Sequence, residues 1–246
     1  MNSHALLQRL AQREAVGAQD RIESQDAVST HPLIAEIDLE EFLRITSPGD
    51  GAELNDILQR AIRFTLDSRN QTVEVSFVSL SAALESILTF FRRQSDYQIL
   101  AADEFGEFEG DLKKWLKQHP ALAREPAKRA LIYEKLPELN RFPFSSVFRK
   151  FCEHYSLDLS DLWPVTGNHA EWPLMEVRHR LVHGDPFVCR PEEAMACAQA
   201  HLRWVVERML LAVLGWPIER SNVSVEILQR TRHEHHDWQS ERAKFA

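Results

Sequence analysis

Hydrophobic residues recur along most of this chain at steps of three and four, the spacing that places side chains on one face of an α-helix. One such stripe lies within residues 75–93 and comprises Phe77, Leu80, Leu84, Ile87 and Phe91. Between residues 75 and 91 the only charged side chain is Glu85. We therefore expect a helix that is buried on most sides and carries one isolated carboxylate.

The same spacing predicts an all-α protein, because the few glycines lie mainly between the periodic stretches. Residues 72–77 alternate as a strand would, but the run continues into helical spacing, so we interpret it as part of a helix. The predicted helices cover residues 5–16, 38–45, 55–67, 75–93, 103–118, 127–136, 145–155, 173–183, 191–214 and 223–242.

The order of these segments predicts three parts. Residues 1–54 form an N-terminal extension, which contains a polar connection up to Thr30 and ends near the helix breaker at residues 47–51. Residues 55–220 form the main helical domain, and residues 221–246 form a C-terminal helix.

Two of the predicted helices carry further stripes. Residues 191–214 begin with proline and two glutamates and end before Gly215. Their stripe favours shallow-angle packing on another helix, in the same chain or in a second copy, and comprises Met195, Ala198, Leu202, Val205, Met209, Ala212 and Trp216. The stripe of residues 103–118 predicts a buried face and comprises Phe105, Phe108, Leu112 and Trp115.

Composition narrows the class of protein. The chain has 246 residues and a formal net charge of -8, which argues against binding of nucleic acid by bulk electrostatics and leaves room for a local basic site. The three cysteines show no metal-ligand spacing and suit a reducing compartment. Arg9 and Arg13 interrupt the apolar start, and residues 75–91 contain five serines or threonines, so we expect a soluble cytoplasmic protein without membrane contact.

Residues 174–186 carry the candidate chemistry. Arg178 lies within the apolar arc of the predicted helix, and Glu85 is its natural partner because a buried arginine without a carboxylate is very costly. If that pair is buried, Glu85→Ala should destabilise the protein by roughly 3 to 5 kcal/mol. An arginine in this position is equally consistent with a purely structural ion pair.

Two histidines of the same helix lie on its polar edge. His179 and His183 are four residues apart and can share a face. Gly184 and Pro186 should end the helix directly after His183. This places His183 at a helix C-terminus, where the helix dipole favours a cation and where proton transfer near neutral pH is feasible.

The sequence Arg-His-Arg-Leu-Val-His at residues 178–183 resembles the Arg-polar-x-x-x-His motif of HEPN domains. Residues 76–87 resemble the early helix with its acidic residue, Glu85, in the ApeA-like branch of that family. The two segments frame residues 55–220. The resemblance implies a helical bundle that dimerises and that, in active members, cleaves RNA without metal or cofactor, as a toxin or antiviral defence effector.

The resemblance also implies roles for the site residues. His183 would transfer protons, Arg178 would stabilise the charge that develops on the phosphate, and His179 would orient or bind the phosphate. Arg178 and His183 lie about 140° apart on a straight helix, so they converge poorly within one chain. A cleft shared by two copies would bring the two motifs together.

The chain departs from the family in two places. Toxins of this kind that a nucleotidyltransferase controls have a tyrosine two residues after the motif histidine, where this chain has Asp185. The large ApeA-like proteins carry a β-rich sensor domain, and no such segment precedes Gly51. Regulation would therefore require something else, such as a regulatory protein partner.

Two alternatives to the nuclease come from other classes of protein. One is a non-catalytic helical module for protein or RNA binding, in which Arg178 and Glu85 are structural. The other is a metal-dependent hydrolase that uses His179 and His183, although the neighbouring arginines oppose a divalent cation. The histidines at residues 233–236 are denser in potential ligands, but a solvated face of a polar terminal helix is the better interpretation.

Overall fold

A computed structural model of the chain describes residues 3–13, 32–47, 54–94, 98–184 and 192–245. Several predicted features lie outside these ranges, namely the end of the first helix beyond Arg13, the connection up to Thr30, the boundary at Gly51, and the positions of Asp185, Pro186, Cys189 and Pro191.

The all-α class is confirmed, since the described residues form eleven α-helices and no strand. The helices are α1 (Ser3–Gln12), α2 (Leu39–Thr46), α3 (Asp56–Asp67), α4 (Val73–Gln94), α5 (Ala102–Gln118), α6 (Pro126–Lys135), α7 (Phe144–His154), α8 (Leu174–His183), α9 (Glu192–Val213), α10 (Val225–Thr231) and α11 (Glu234–Ala243). Because α4 begins at Val73, the helical interpretation of residues 72–77 holds.

The chain divides into two compact units, one of residues 1–90 and 151–246 and the other of residues 91–150. In the first unit, α1 packs on α2 and α3, while α9 packs on α3 and α11. The predicted boundaries at residues 54 and 220 both fall inside this unit. The partners of the long helix α9 therefore include helices of the same chain.

Helix α9 is the centre of the first unit. Sixteen of its 22 residues are buried, and they include five polar side chains and five members of the predicted apolar stripe, namely Met195, Ala198, Leu202, Val205 and Met209. Gln199, Arg203 and Glu207 follow one another at steps of four on one side of the helix, whereas His201 and Arg208 lie on a roughly opposite side. A helix with polar groups buried on two sides needs polar partners from several other elements.

The second unit is described by helices α5 and α6 and the 3-10 turn Leu136–Asn140. The predicted buried stripe of α5 is wrong, because Phe105 and Leu112 are partly exposed and Phe108 and Trp115 are about half exposed. The buried residue of α5 is Leu116, which lies outside the stripe. Helix α6, which packs on α5, contributes no buried residue, so this pair of helices buries little of either surface.

The predicted C-terminal helix at residues 223–242 is also wrong as a single element. It is interrupted at Arg232, whose backbone is extended, and continues as α11. The break turns His235 inward, where it is 6% exposed and its Nε2 lies 2.8 Å from an Asp161 carboxylate oxygen. The solvated-face interpretation of residues 233–236 is therefore wrong for His235.

His201 on α9 connects this terminal segment to the core through hydrogen bonds of its ring. Its Nδ1 accepts the backbone N–H of Trp163 at 3.0 Å, and its Nε2 lies 2.9 Å from the carbonyl oxygen of Glu234. The two bonds together require the neutral ring with its proton on Nε2. Burial of the fully enclosed ring lowers the pKa of His201 to about 4.

The lowered pKa of His201 predicts a pH-dependent stability. In the unfolded chain a histidine titrates near pH 6.5, so the unfolded state takes up a proton that the folded state refuses between that pH and about 4. The stabilisation is complete above pH 6.5 and is lost as the pH falls. Urea unfolding should show that the contribution of this group to the free energy of unfolding falls by about 2 kcal/mol between pH 7 and pH 5.

A glutamine variant isolates this effect, because His201→Gln removes the titrating group. The exposed His233 provides the matched control as His233→Ala. We expect the pH dependence to become shallower only in the His201 variant. An unchanged dependence in His201→Gln would assign the acid sensitivity to other groups.

Helix α4 is long and apolar enough to cross a membrane by length and composition, and nearly half of its most apolar window is buried inside the protein. The core helix of a soluble protein passes the same test. This helix is therefore weak support for a membrane span, and the expectation of a soluble cytoplasmic protein stays a prediction.

Candidate functional site

Helix α8 begins after Pro173 and ends where the sequence predicts. Leu174 and Val177 are fully buried and anchor its first half in the first unit. Gly184 follows with φ +71°, a left-handed conformation that glycine adopts without strain, and its N–H bonds to the Arg180 carbonyl. The second half of α8, from His179 onward, is therefore presented at the surface on a well-anchored helix.

The two motif histidines lie together at this end of the helix. Both side chains are exposed, and the ring centroids of His179 and His183 are 4.4 Å apart. The predicted shared face is confirmed. Two imidazoles in contact and open to solvent can bind a phosphate or exchange protons with a ligand.

Arg178 and Glu85 form the predicted ion pair, with 3.1 Å between the guanidinium Nη2 and the carboxylate Oε1. The predicted burial of the pair is wrong, because the Arg178 side chain is 33% exposed and the Glu85 side chain 48% exposed. Glu85 lies on the solvent-exposed face of the largely apolar helix α4. The cation is thus held in place and still accessible to an anion.

Exposure changes the expected energy of this pair. Solvent-exposed ion pairs contribute about 0.2 to 1 kcal/mol, so Glu85→Ala should destabilise the protein by no more than that, well below the loss expected for a buried pair. Urea unfolding measures the difference, and Glu74→Ala, an exposed glutamate near the start of α4, is the control. A loss of about 3 kcal/mol or more would mean that the pair is buried in solution.

Arg180, the other arginine of the motif, is held by its own helix. Its Nε donates to a Glu176 carboxylate oxygen at 3.1 Å, and its guanidinium lies 4.7 Å from the centre of the Trp172 ring. Burial of Glu176 opposes ionisation, but hydrogen bonds from His169 and Arg180 outweigh it and lower the pKa of that carboxyl. The Arg180 side chain is therefore held by both Glu176 and the Trp172 ring.

Arg178 and His183 have different partners on α8. The guanidinium of Arg178 pairs with Glu85, whereas the ring of His183 contacts His179. The two positions lie about 140° apart on a straight helix. A single chain is therefore expected to present the cation and the proton-transfer group on different sides of α8.

A metal site needs several ligand side chains close together. Among the described residues, no group of three or more histidine, cysteine, aspartate or glutamate side chains is placed to hold a metal ion. Cys152 and Cys197 are free thiols, and burial raises their pKa values to about 11 and about 12. The histidine pair on α8 thus has no third ligand of these types in the described residues.

Comparison with known proteins assigns no family. No protein-family model, curated protein or solved structure matches this chain.

The fold assembles two buried polar clusters that were not predicted from the sequence. One joins Asp161 to Arg208 and His235, and the other joins Arg13, Arg69 and Glu207 around α9. Arg203, Glu207 and Arg208 interrupt the apolar second half of α9, and that was the available signal. Their partners come from distant segments, which no helical spacing connects.

Proposed function

We propose that this protein is a metal-independent endoribonuclease of the HEPN type that acts in the cytoplasm. The observation that carries the proposal is the exposed pair of His179 and His183 at the C-terminal end of α8, on the helix that also holds Arg178. The residue motif, its helix and its glycine end agree with the resemblance to HEPN domains. A role as a toxin or antiviral effector would follow from cleavage of cellular or invading RNA.

The chemistry of RNA cleavage without metal matches these side chains. A base must remove the proton of the 2'-hydroxyl, an acid must protonate the leaving 5'-oxygen, and a cation must stabilise the charged phosphate. His183 supplies proton transfer and Arg178, held by Glu85, supplies the cation. His179 binds or orients the phosphate beside His183.

A second copy of the chain would complete the site. Both helices of the ion pair carry exposed valines, since Val182 on α8 and Val75 and Val78 on α4 are between 38% and 51% exposed. Val75, Val78 and Glu85 share a face of α4 at helical spacing. We infer that this surface meets its equivalent in a second copy, so that Arg178 of one copy serves His183 of the other.

The decisive experiment is cleavage of RNA by the purified protein in EDTA. We expect products with 2',3'-cyclic phosphate ends, because the 2'-hydroxyl is the nucleophile. DNA and RNA with methylated 2'-oxygens should resist cleavage for the same reason. Activity that needs an added divalent metal, or activity on DNA, would contradict the proposal.

The specific observation that favours a non-catalytic binding module is the ion pair itself. Glu85 already neutralises Arg178 at 3.1 Å, as a structural arginine would require. A module of this kind would bind RNA or a regulatory protein and leave RNA intact in every buffer. The cleavage assay, repeated with a cell extract as a source of activators, separates the two functions.

A further inference from the structure

A cluster of arginines lies inside the first unit, where α9 passes the ends of α1 and α3. We call it the arginine site and define it by Arg13, Arg69 and Arg203, together with the carboxylate of Glu207. Arg13 directly follows α1, Arg69 lies in the 3-10 turn after α3, and Arg203 and Glu207 are one turn apart on α9. All four side chains are at least nine-tenths buried.

The single carboxylate of the site is engaged by two of the arginines. Glu207 Oε2 lies 2.7 Å from Arg13 Nη2, and Glu207 Oε1 lies 3.3 Å from Arg69 Nη2. Arg69 Nη1 also donates to the backbone carbonyl of Arg13 at 3.0 Å. Both oxygens of Glu207 therefore already face a guanidinium.

Arg203 forms no ion pair of its own, although the Glu207 charge one turn away acts on it. No carboxylate of the described residues lies within 4 Å of its guanidinium, which is 4% exposed. Its Nη2 makes one long hydrogen bond of 3.4 Å to Ser76 Oγ, an oxygen that Gln199 Nε2 approaches more closely, at 2.7 Å. Arg203 Nε and Nη1, like Arg69 Nε, have no acceptor in the described part of the chain.

Such a group is costly to keep in a protein interior. Burial lowers the pKa of Arg203 to about 10 and that of Arg69 to about 9, values that leave both side chains charged at neutral pH. Water molecules could accept hydrogen bonds from the nitrogen atoms, but they bring no charge. An anion would supply the acceptors and the charge together.

We propose that the arginine site binds the phosphate group of a small ligand, held between Arg203 and Arg69. Guanidinium groups suit phosphate because they present several donors in a fixed plane and stay charged. The dianion would balance the two positive charges that remain when three guanidiniums face one carboxylate. Arg69, whose side chain is 10% exposed, marks the point where the site approaches the surface.

The site stands apart from the motif of α8. The arginine site is formed by α1, α3, α9 and the start of α4 at Ser76, whereas the motif is on α8 and pairs with Glu85. Glu85 lies more than two helical turns beyond Ser76 on α4. Phosphate binding here therefore stands or falls independently of RNA cleavage.

The first test measures ligand binding to the whole purified protein. Phosphorus analysis shows whether a phosphate compound is already bound, and thermal unfolding with inorganic phosphate, adenosine monophosphate or adenosine at constant ionic strength shows whether one binds. We expect bound phosphorus or a saturable rise in Tm with both phosphates, and no rise with adenosine. A larger rise with the nucleotide identifies a nucleotide as the source of the phosphate, and an equal or smaller rise identifies free phosphate.

Variants locate the binding. Arg203→Met and Arg69→Gln should each weaken phosphate binding at least tenfold, while Arg230→Met, which removes a surface arginine of α10 whose side chain is 70% exposed, should leave it unchanged. Glu207→Gln should strengthen binding severalfold, because it removes the competing carboxylate. That opposite effect keeps the test decisive if Arg203→Met does not fold. The proposal would be overturned if the protein contains no phosphorus and neither phosphate raises its Tm. It would also be overturned if the phosphate affinity is the same in these variants as in the parent.

Discussion

Replacement of His183 by alanine should lower the rate of RNA cleavage about 10²- to 10⁴-fold, the range lost when a general acid or base is removed. Stability should hardly change, since the side chain is exposed at the end of α8 and its ring contacts His179. Initial rates in EDTA and urea unfolding of the same preparation measure the two effects.

Two comparisons make this result specific. His233→Ala removes an equally exposed histidine away from α8 and should retain full activity. Residual activity of His183→Ala within a factor of two of the parent would exclude the side chain from the mechanism. Mixing His183→Ala with Arg178→Ala should restore part of the activity if the two residues act across two copies, and no restoration would contradict the shared cleft.

The largest loss of stability is expected for Asp161→Ala. Asp161 accepts two hydrogen bonds from Arg208, at 2.6 and 2.8 Å, and lies 2.8 Å from His235 Nε2. Arg208 is 1% exposed, so removal of its carboxylate leaves a buried cation that keeps its hydrogen bond to the Val223 carbonyl but has no paired carboxylate. Breaking a buried pair in this way costs about 3 to 5 kcal/mol, measurable by urea unfolding.

A nearby aspartate controls for the change of charge. Asp158 is exposed and caps the backbone N–H of Ser160, a role that Asp158→Asn preserves. This substitution should alter stability by less than about 0.5 kcal/mol. Equal losses in the two variants would show that the cost comes from lost charge and not from a stranded Arg208.

Local pattern predicted what depends on neighbours along the chain. The helix of the motif, its end at Gly184 and the contact of His179 with His183 are decided within ten residues, so helical spacing and a left-handed glycine suffice. The partner of Arg178 was also predictable, because Glu85 is the only charged residue between residues 75 and 91 of its largely apolar helix.

The errors share a physical origin in tertiary packing. The exposure of Glu85, the half-open faces at Phe108 and Trp115, and the inward turn of His235 depend on which elements cover each helix. Sequence spacing shows which residues share a face. It does not show whether another helix is present, or large enough, to bury that face.

The buried polar side chains on two sides of α9 restrict where insertions and deletions can occur in this chain. Inserting one residue before His201 would rotate every later side chain of the helix by about 100°, and Arg203, Glu207 and Arg208 would all leave their partners in a single step. A purely apolar helix can tolerate such a rotation because its side chains repack. Hydrogen bonds and ion pairs need specific partners, and the rotated side chains would find none. Natural variation in length should therefore be excluded from α9 and confined to the connections around it.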